Sequence, residues 1–598
     1  MRFHLVALLT FPIAISSSAS TSFDYIIIGG GTAGLVLANR LSSDSNISVA
    51  VIEAGDSVFN NPNVTSVTVF GLSLGSSIDW SYISRPQKYT GNRTLTYNAG
   101  KALGGTSTIN GMTYLRAEKV QIDAWEKLGN EGWNWEGLWP YYLKKEAFQH
   151  PTEVQTENGA TFESEAHGFN GAVAVGWSKY LMGQNMSDIL RQTSEALGYH
   201  ANSDANDGSM SGFTTWPLTL NATTNIREDA ARAYYYPISG SRPNLCLFLN
   251  TTATRIVWED SSKDSIMHAR GVEVITPTNS TETLYTTGEV IISAGSIRSP
   301  ALLETSGVGN PAVLEKFGID PVIPLLGVGA NLQDQPNIVI SYSSPVNWTG
   351  YPSFVTYLTA KDLFGADFDS ISRSVHSNIS RYAATVTADL GSANETTISN
   401  QERLLKLQAD LIFNSNSTVP LAELLWAPGP FSISSAFWNL LPFSRGSVHI
   451  GASDPMVEPS IDANFFQLPI DEYVQAAAAH RLRQLFKTPP LSTYVTSELA
   501  PSFTIVPEGA DYGDGSWEQW IKAGYSTNQH PVSTCAMMGK ELGGVVDSEG
   551  RVYGSGNVRV VDASVIPMQV SGHLSATVYA LAEKMAERIL SDRGRGVR

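Results

Sequence analysis

Three glycines near the start of the chain, Gly29, Gly31 and Gly34, fall at G-x-G-x-x-G spacing, and Glu53 lies nineteen residues beyond the last of them. The chemistry open to such a set is to hold a dinucleotide. The first glycine permits a tight turn, the second lets main chain approach a pyrophosphate, and the third lets a helix pack closely on a strand. Thr32 and Ala33, between the glycines, bring main-chain amides to a helix start, where phosphate is favoured. Glu53 is suited to accept hydrogen bonds from an adenosine ribose.

Those groups work only if rigid elements present them. Asp24-Tyr25-Ile26-Ile27-Ile28 is an apolar, β-branched run of the kind that forms a buried parallel strand. The glycine turn follows at once, then a helix-spaced run from Leu35 to Leu41, then a second strand, Val49-Ala50-Val51-Ile52-Glu53. That β-α-β order turns a weak glycine pattern into a specific one. Strand-like runs return far downstream at Glu289-Val290-Ile291-Ile292-Ser293 and Val558-Arg559-Val560-Val561-Asp562. A final helix is expected over residues 575–590, with Val578, Leu581, Met585 and Ile589 on one face. The fold class is α/β (α+β), its parallel sheet assembled from scattered segments. A Ser/Asn-rich stretch near residues 370–400 reads as part of a separate, substrate-facing domain.

Nicotinamide and flavin dinucleotides both use this turn, and the expected address of the chain separates them. Met1-Arg2-Phe3-His4, an apolar run over residues 5–15 and small residues after it form a signal peptide over 1–20, cut near Ala19 or Ser20. The apolar run is too short for a bilayer, which needs about 20 residues. Sequons at Asn46, Asn63, Asn92, Asn185, Asn221, Asn250, Asn279, Asn347, Asn378, Asn394 and Asn416 fit an exported glycoprotein. Its destination is the medium or cell wall, or alternatively a vacuole or other secretory compartment. Export favours FAD, because a tightly held cofactor travels with its enzyme.

Composition excludes other classes. Of 598 residues 42% are hydrophobic and 16% charged, with 13 Trp, 23 Tyr and 22 Phe, the opposite of a disordered chain. Lys and Arg number 39 against 56 Asp and Glu, a formal charge of −17 without a basic run. Nucleic acid and anionic membranes are therefore not expected as partners. Cys246 and Cys535 are expected as two buried free thiols. Two cysteines without nearby histidine pairs also speak against a structural zinc site, and no metal is expected.

At Gly104-Gly105-Thr106-Ser107-Thr108-Ile109-Asn110-Gly111 the chain resembles the glucose–methanol–choline (GMC) oxidoreductases, FAD enzymes that oxidise alcohols. Residues 295–309, 329–335 and 562–567 carry the same resemblance, which is closest to the fungal glucose oxidases and aryl-alcohol oxidases. It implies an FAD-binding domain built from residues 21–150, 235–335 and 535–598. It also implies a substrate-binding domain of antiparallel sheet and helices from 151–234 and 336–534. Gly105, Thr106, Asn110, Gly111, Asp562 and Ala563 are implied cofactor contacts. Small groups and hydroxyls at Thr106, Ser107 and Thr108 suit a flat ring lying against main chain. Relatives with covalent flavin carry a histidine near Asn110; Ile109 stands there, which implies noncovalent FAD.

The resemblance also singles out two of the ten histidines. His530 resembles the general base and His573 its partner on the alcohol oxygen, with Glu423 orienting His573. Imidazoles suit the task, since oxidising an alcohol removes a proton from oxygen near neutral pH. Leu425, Trp438, Ser526, Asn528 and Gln529 occupy substrate-contact positions. Glucose oxidases place an arginine where Ser526 stands, an aromatic residue where Gln529 stands and a phenylalanine at Leu425, while Asn528 and Trp438 match. The expected substrate is a small aromatic, allylic or secondary-metabolite alcohol, with O2 or another electron acceptor. A sugar oxidase or dehydrogenase and an FAD-containing hydroxynitrile lyase are the alternatives. Monomer and homodimer stay open.

Overall fold

The computed structural model describes residues 22–260 and 266–594; the expected signal segment lies outside them. Strand β1 (Ser22–Ile28) pairs in parallel with β2 (Val49–Ile52), Tyr25 to Ile28 facing Val49 to Ile52 in register. Helix α1 (Thr32–Leu41) makes the crossover, as the local pattern requires. Glu53 lies just past the end of β2 rather than within it.

On its other side β1 runs parallel to the strand Thr281–Ile292. The second half of that long strand also pairs in parallel with Val558–Val560, and its first half pairs antiparallel with Ala269–Ile275. Thr252–Trp258 and Leu245–Phe248 complete the two ends of a seven-stranded sheet. The last helix spans Leu574–Gly594, a little beyond its expected end, and lies against α1. Arg40 and Glu583 join the two helices at 2.7 Å.

A second sheet of six antiparallel strands is centred on Pro336–Asn347 and Pro420–Asn439. Phe354–Thr359 and Gly212–Thr215 extend it one way; Glu498–Ala500 and Ser526–Thr527 pair along the other edge. Each sheet has its own apolar core.

The Ser/Asn-rich stretch takes a definite form, and one expectation, that both thiols are buried, is corrected. Most of residues 370–400 fall in a pair of packed helices, Phe368–Asp389 and Glu395–Ile412. Ile371, Val375, Ile379 and Leu405 bury them in the second core, and none of their residues lines the cavity described below. An apolar stripe at helical spacing was hidden among serines and asparagines. Of the two thiols, both free, only Cys535 is buried. Cys246 is half-buried, because Leu245–Phe248 is an edge strand.

Candidate active site

Between the sheets lies a cavity of about 1220 Å³. Gly29, Gly31, Thr32, Ala33 and Glu53 line it, as do Gly105, Thr106, Asn110, Gly111, Asp562 and Ala563. So do Leu425, Trp438, Asn528, Gln529, His530 and His573. The fold thus brings together residues from both ends of the chain.

The glycine turn is close-packed main chain. Gly29 has φ +107°, and a Cβ there would fall 2.4 Å from the Ser293 carbonyl oxygen. A Cβ on Gly34 would lie 2.0 Å from the Gly29 oxygen, so Gly34 seats α1 on β1 and does not itself line the cavity. Gly31 begins α1, and no side chain caps that end. Gly105 comes so near that a Cβ on it would sit 2.6 Å from Gly31 Cα. Main-chain amides and open space are what remain.

Glu53 accepts from the Gly30 amide at 2.9 Å on one oxygen and the Gly55 amide at 2.8 Å on the other. Burial outweighs those two bonds and pushes its carboxyl up to about 7. Asp562 accepts on one oxygen from the Gly295 amide at 2.8 Å and the Ser299 hydroxyl at 2.6 Å. Its other oxygen caps Ser564, so the carboxylate braces the 562–565 turn. Each hydroxyl after Gly105 has a protein partner, and that of Thr106, which lines the cavity, keeps its own hydrogen free to donate. Ser107 and Thr108 donate back to Gly104 and Gly105, and Thr106 accepts from the Gly100 amide. Asn110 Oδ1 is held by Arg227 at 2.6 Å.

His530 follows the short strand Ser526–Thr527 and is anchored before its ring acts. Its amide donates to Asp334 at 2.9 Å, and its carbonyl accepts from Gln569 at 2.9 Å. The ring Nδ1 lies 2.8 Å from Gln335 Oε1. His573, immediately before the last helix, stands 5.0 Å away ring to ring and nearly perpendicular. Enclosure, then the nearness of His573, holds the His530 imidazole well below its ordinary value. The ring is a neutral base. His573 Nε2 lies 3.0 Å from Glu423 Oε1. Glu423 is buried behind His573 on Pro420–Asn439, opposite Tyr357.

The strand Pro420–Asn439 also builds a wall. At two-residue spacing after Glu423 it turns Leu425 and Ala427 to the cavity, and later Ala436 and Trp438. The Trp438 ring meets His573 edge-on at 6.0 Å. Asn528 bonds to Gln335 and Asn337, and Gln529 to the main chain of Asn98 and Thr96. Their amides face protein partners although both residues line the cavity. Ser526 departs from expectation: it is exposed, does not line the cavity, and its hydroxyl donates to the Asn337 carbonyl at 3.4 Å. In this strand Thr527, not Ser526, turns inward.

Sequence reading assigned no role to Gln335, Asn337 or Tyr357. The adjacent polar residues Gln333-Asp334-Gln335 ahead of an alternating strand were the available signal. Gln335 and Tyr357 are buried, which is costly for a polar group without a hydrogen bond, and Asn337 is half-buried at the cavity wall.

A dinucleotide fold joined to a paired-imidazole pocket defines a flavin-type oxidoreductase. Residues 23–337 and 442–582 match the N- and C-terminal profiles of the GMC oxidoreductases; the chain belongs to that family. It is 44% identical to the glucose oxidase-like protein fsoC of Humicola fuscoatra, over 96% of each chain. It is 36% identical to a glucose oxidase of Aspergillus carbonarius, covering 98% of this chain and 94% of that one. Among solved structures, an FAD-dependent oxidoreductase from Chaetomium thermophilum superposes with TM-score 0.86 at 28% identity, over 96% of this chain and all of the other. A fungal aryl-alcohol oxidase does so with TM-score 0.83 at 27% identity, over 96% and 99%. The protein is an FAD-dependent oxidoreductase. The residues present fit that cofactor: uncapped amides at α1, a glycine cradle that a Cβ would fill, and a buried carboxylate in one continuous cavity.

Proposed function

We propose that the protein is a secreted alcohol oxidoreductase that converts the CH–OH group of a small, mainly apolar alcohol to a carbonyl. One observation carries this: His530, held neutral and anchored on its Nδ1 side, faces His573 across 5.0 Å at the cavity wall. FAD, when bound, supplies the hydride acceptor. His530 takes the hydroxyl proton, His573 hydrogen-bonds the oxygen as charge builds there, and Glu423 orients His573. The apolar wall at Leu425, Ala427 and Trp438, with the Asn528 and Gln529 amides engaged, supports an aromatic or allylic alcohol over a sugar. A sugar site discriminates through several free, fixed polar groups. Noncovalent FAD is supported by Ile109, which lines the cavity near Asn110. The division into FAD-binding segments (21–150, 235–335 and 535–598) and substrate-binding segments (151–234 and 336–534) is supported by the two sheets, although Val173, Val175 and Trp177 pack in the first core and Tyr82, Tyr97 and Met112 in the second. Either O2 or another acceptor reoxidises the cofactor.

The relatives named glucose oxidase favour sugar as a second reading. A panel of benzylic, allylic and sugar substrates, assayed with both O2 and a dye acceptor, separates them. A benzylic or allylic alcohol should show the highest kcat/KM; a higher value for glucose would overturn the substrate assignment.

A further inference from the structure

His530 serves as a base only if its hydrogen sits on the correct nitrogen. Neutral imidazole has one N–H and one lone pair, and the partner of one nitrogen decides the state of the other. Gln335 is buried and does not line the cavity. Its Nε2 lies 2.9 Å from the Leu440 carbonyl oxygen, an atom that can only accept. The carboxamide is therefore turned with Oε1 toward His530, 2.8 Å from Nδ1. An oxygen accepts, so Nδ1 carries the hydrogen. Neighbouring amides agree in direction. Asn528 Nδ2 donates to the same Gln335 oxygen at 3.1 Å, and Asn528 Oδ1 accepts from Asn337 Nδ2 at 2.9 Å. Asn528 Nδ2 is also 3.1 Å from His530 Nδ1; with both atoms bearing hydrogen, Gln335 Oε1 is their shared acceptor.

We propose that Gln335 is a positioning residue that holds His530 in the Nδ1–H tautomer and so presents an unprotonated Nε2 to the substrate. This rests on His530 being the base. In the step served, the substrate O–H bond breaks, its electron pair stays on oxygen, and the proton bonds to Nε2. The resulting imidazolium keeps Nδ1–H on Gln335 Oε1, now as a charge-assisted bond. Charged and titratable groups around the ring are few: His573 beside it, Glu423 behind His573, and Asp334 on the His530 amide.

Holoenzyme carrying 15N-labelled histidine provides the test. Two-bond 1H–15N spectra, with the His530 signals assigned by their loss in His530→Ala, should show a protonated Nδ1 and a pyridine-like Nε2. Gln335→Leu should lose that preference and lower kcat by about 10- to 100-fold, the usual worth of an outer partner that fixes a ring. KM and FAD content should change much less. Gln335→Glu keeps an acceptor oxygen at Nδ1. It should retain the tautomer and move the acidic limb of the kcat/KM profile to higher pH, since a carboxylate favours imidazolium. A resting Nε2–H tautomer in the unsubstituted enzyme would overturn the proposal, as would Gln335→Leu with unchanged tautomer and rate. Should Gln335→Leu not fold, the unsubstituted spectrum decides. Failure of the base assignment reads differently: His530→Ala would then reduce flavin at a near-normal rate, whatever the tautomer.

Discussion

The two imidazoles at the cavity wall differ in what stands behind them, a carboxamide for His530 and a carboxylate for His573. His530→Ala should slow flavin reduction by roughly 10²–10⁴-fold, the usual worth of a positioned base, with FAD content unchanged. Stopped-flow reduction by the best alcohol measures this, and a near-normal rate would remove His530 from the role. His573→Ala should also be impaired. The double variant should lose less than the product of the two effects, because both rings act on one oxygen. Glu53 gives a pH prediction. Its carboxyl stands near 7 in the folded protein against 4.5 ordinarily. The protonated form is therefore the favoured one, and its stabilising contribution, complete below about pH 4.5, is lost as pH rises through 7. Ribose hydroxyls donate to the ionised form, so FAD affinity should rise with pH up to about 7 and then level, by at most about tenfold per unit. Fluorescence titration of apoprotein at pH 5.5 and 7.5 measures the slope, which Glu53→Gln should flatten.

The β1–α1–β2 unit shows why some elements are readable in sequence. Its strand pattern, glycine spacing and helix period all lie within one short stretch, where sequence distance and spatial distance nearly coincide. Gly34 is its tightest point. Gly34→Ala would drive a methyl into the Gly29 carbonyl, at a cost of about 1–3 kcal/mol for overpacking, and should weaken FAD retention by lifting α1. Thermal unfolding and flavin content report both effects. Gly429→Ala, with no atom within 4 Å of its added methyl, is the control and should change neither. The helices covering residues 370–400 show the converse. Their Ser/Asn-rich composition indicated only a separate, substrate-facing domain, while the apolar minority at helical spacing carried the structural information.

Two sheets with separate cores enclose one cavity, and the chain passes repeatedly between them. All the sequons are exposed except those at Asn221 and Asn378, which are half-buried; this suits a glycosylated, exported protein. One purified preparation tests the whole-molecule expectations. Glycosidase should lower its apparent mass, and acid precipitation should leave yellow FAD in the supernatant. Unchanged mass would count against glycosylation, and flavin in the pellet against noncovalent binding. The dinucleotide turn, the parallel strands around it and the family resemblance were legible from the residues alone, because each is a local pattern of side-chain type at fixed spacing. The 5.0 Å approach of His530 to His573, the orientation of Gln335 and the exposure of Ser526 were not. They depend on strand pairings such as Asn337 with both Ser526 and Trp438, which join residues far apart in sequence. Those registers are settled only when the two cores close, since a shift of one residue would turn every side chain of a strand to its opposite face.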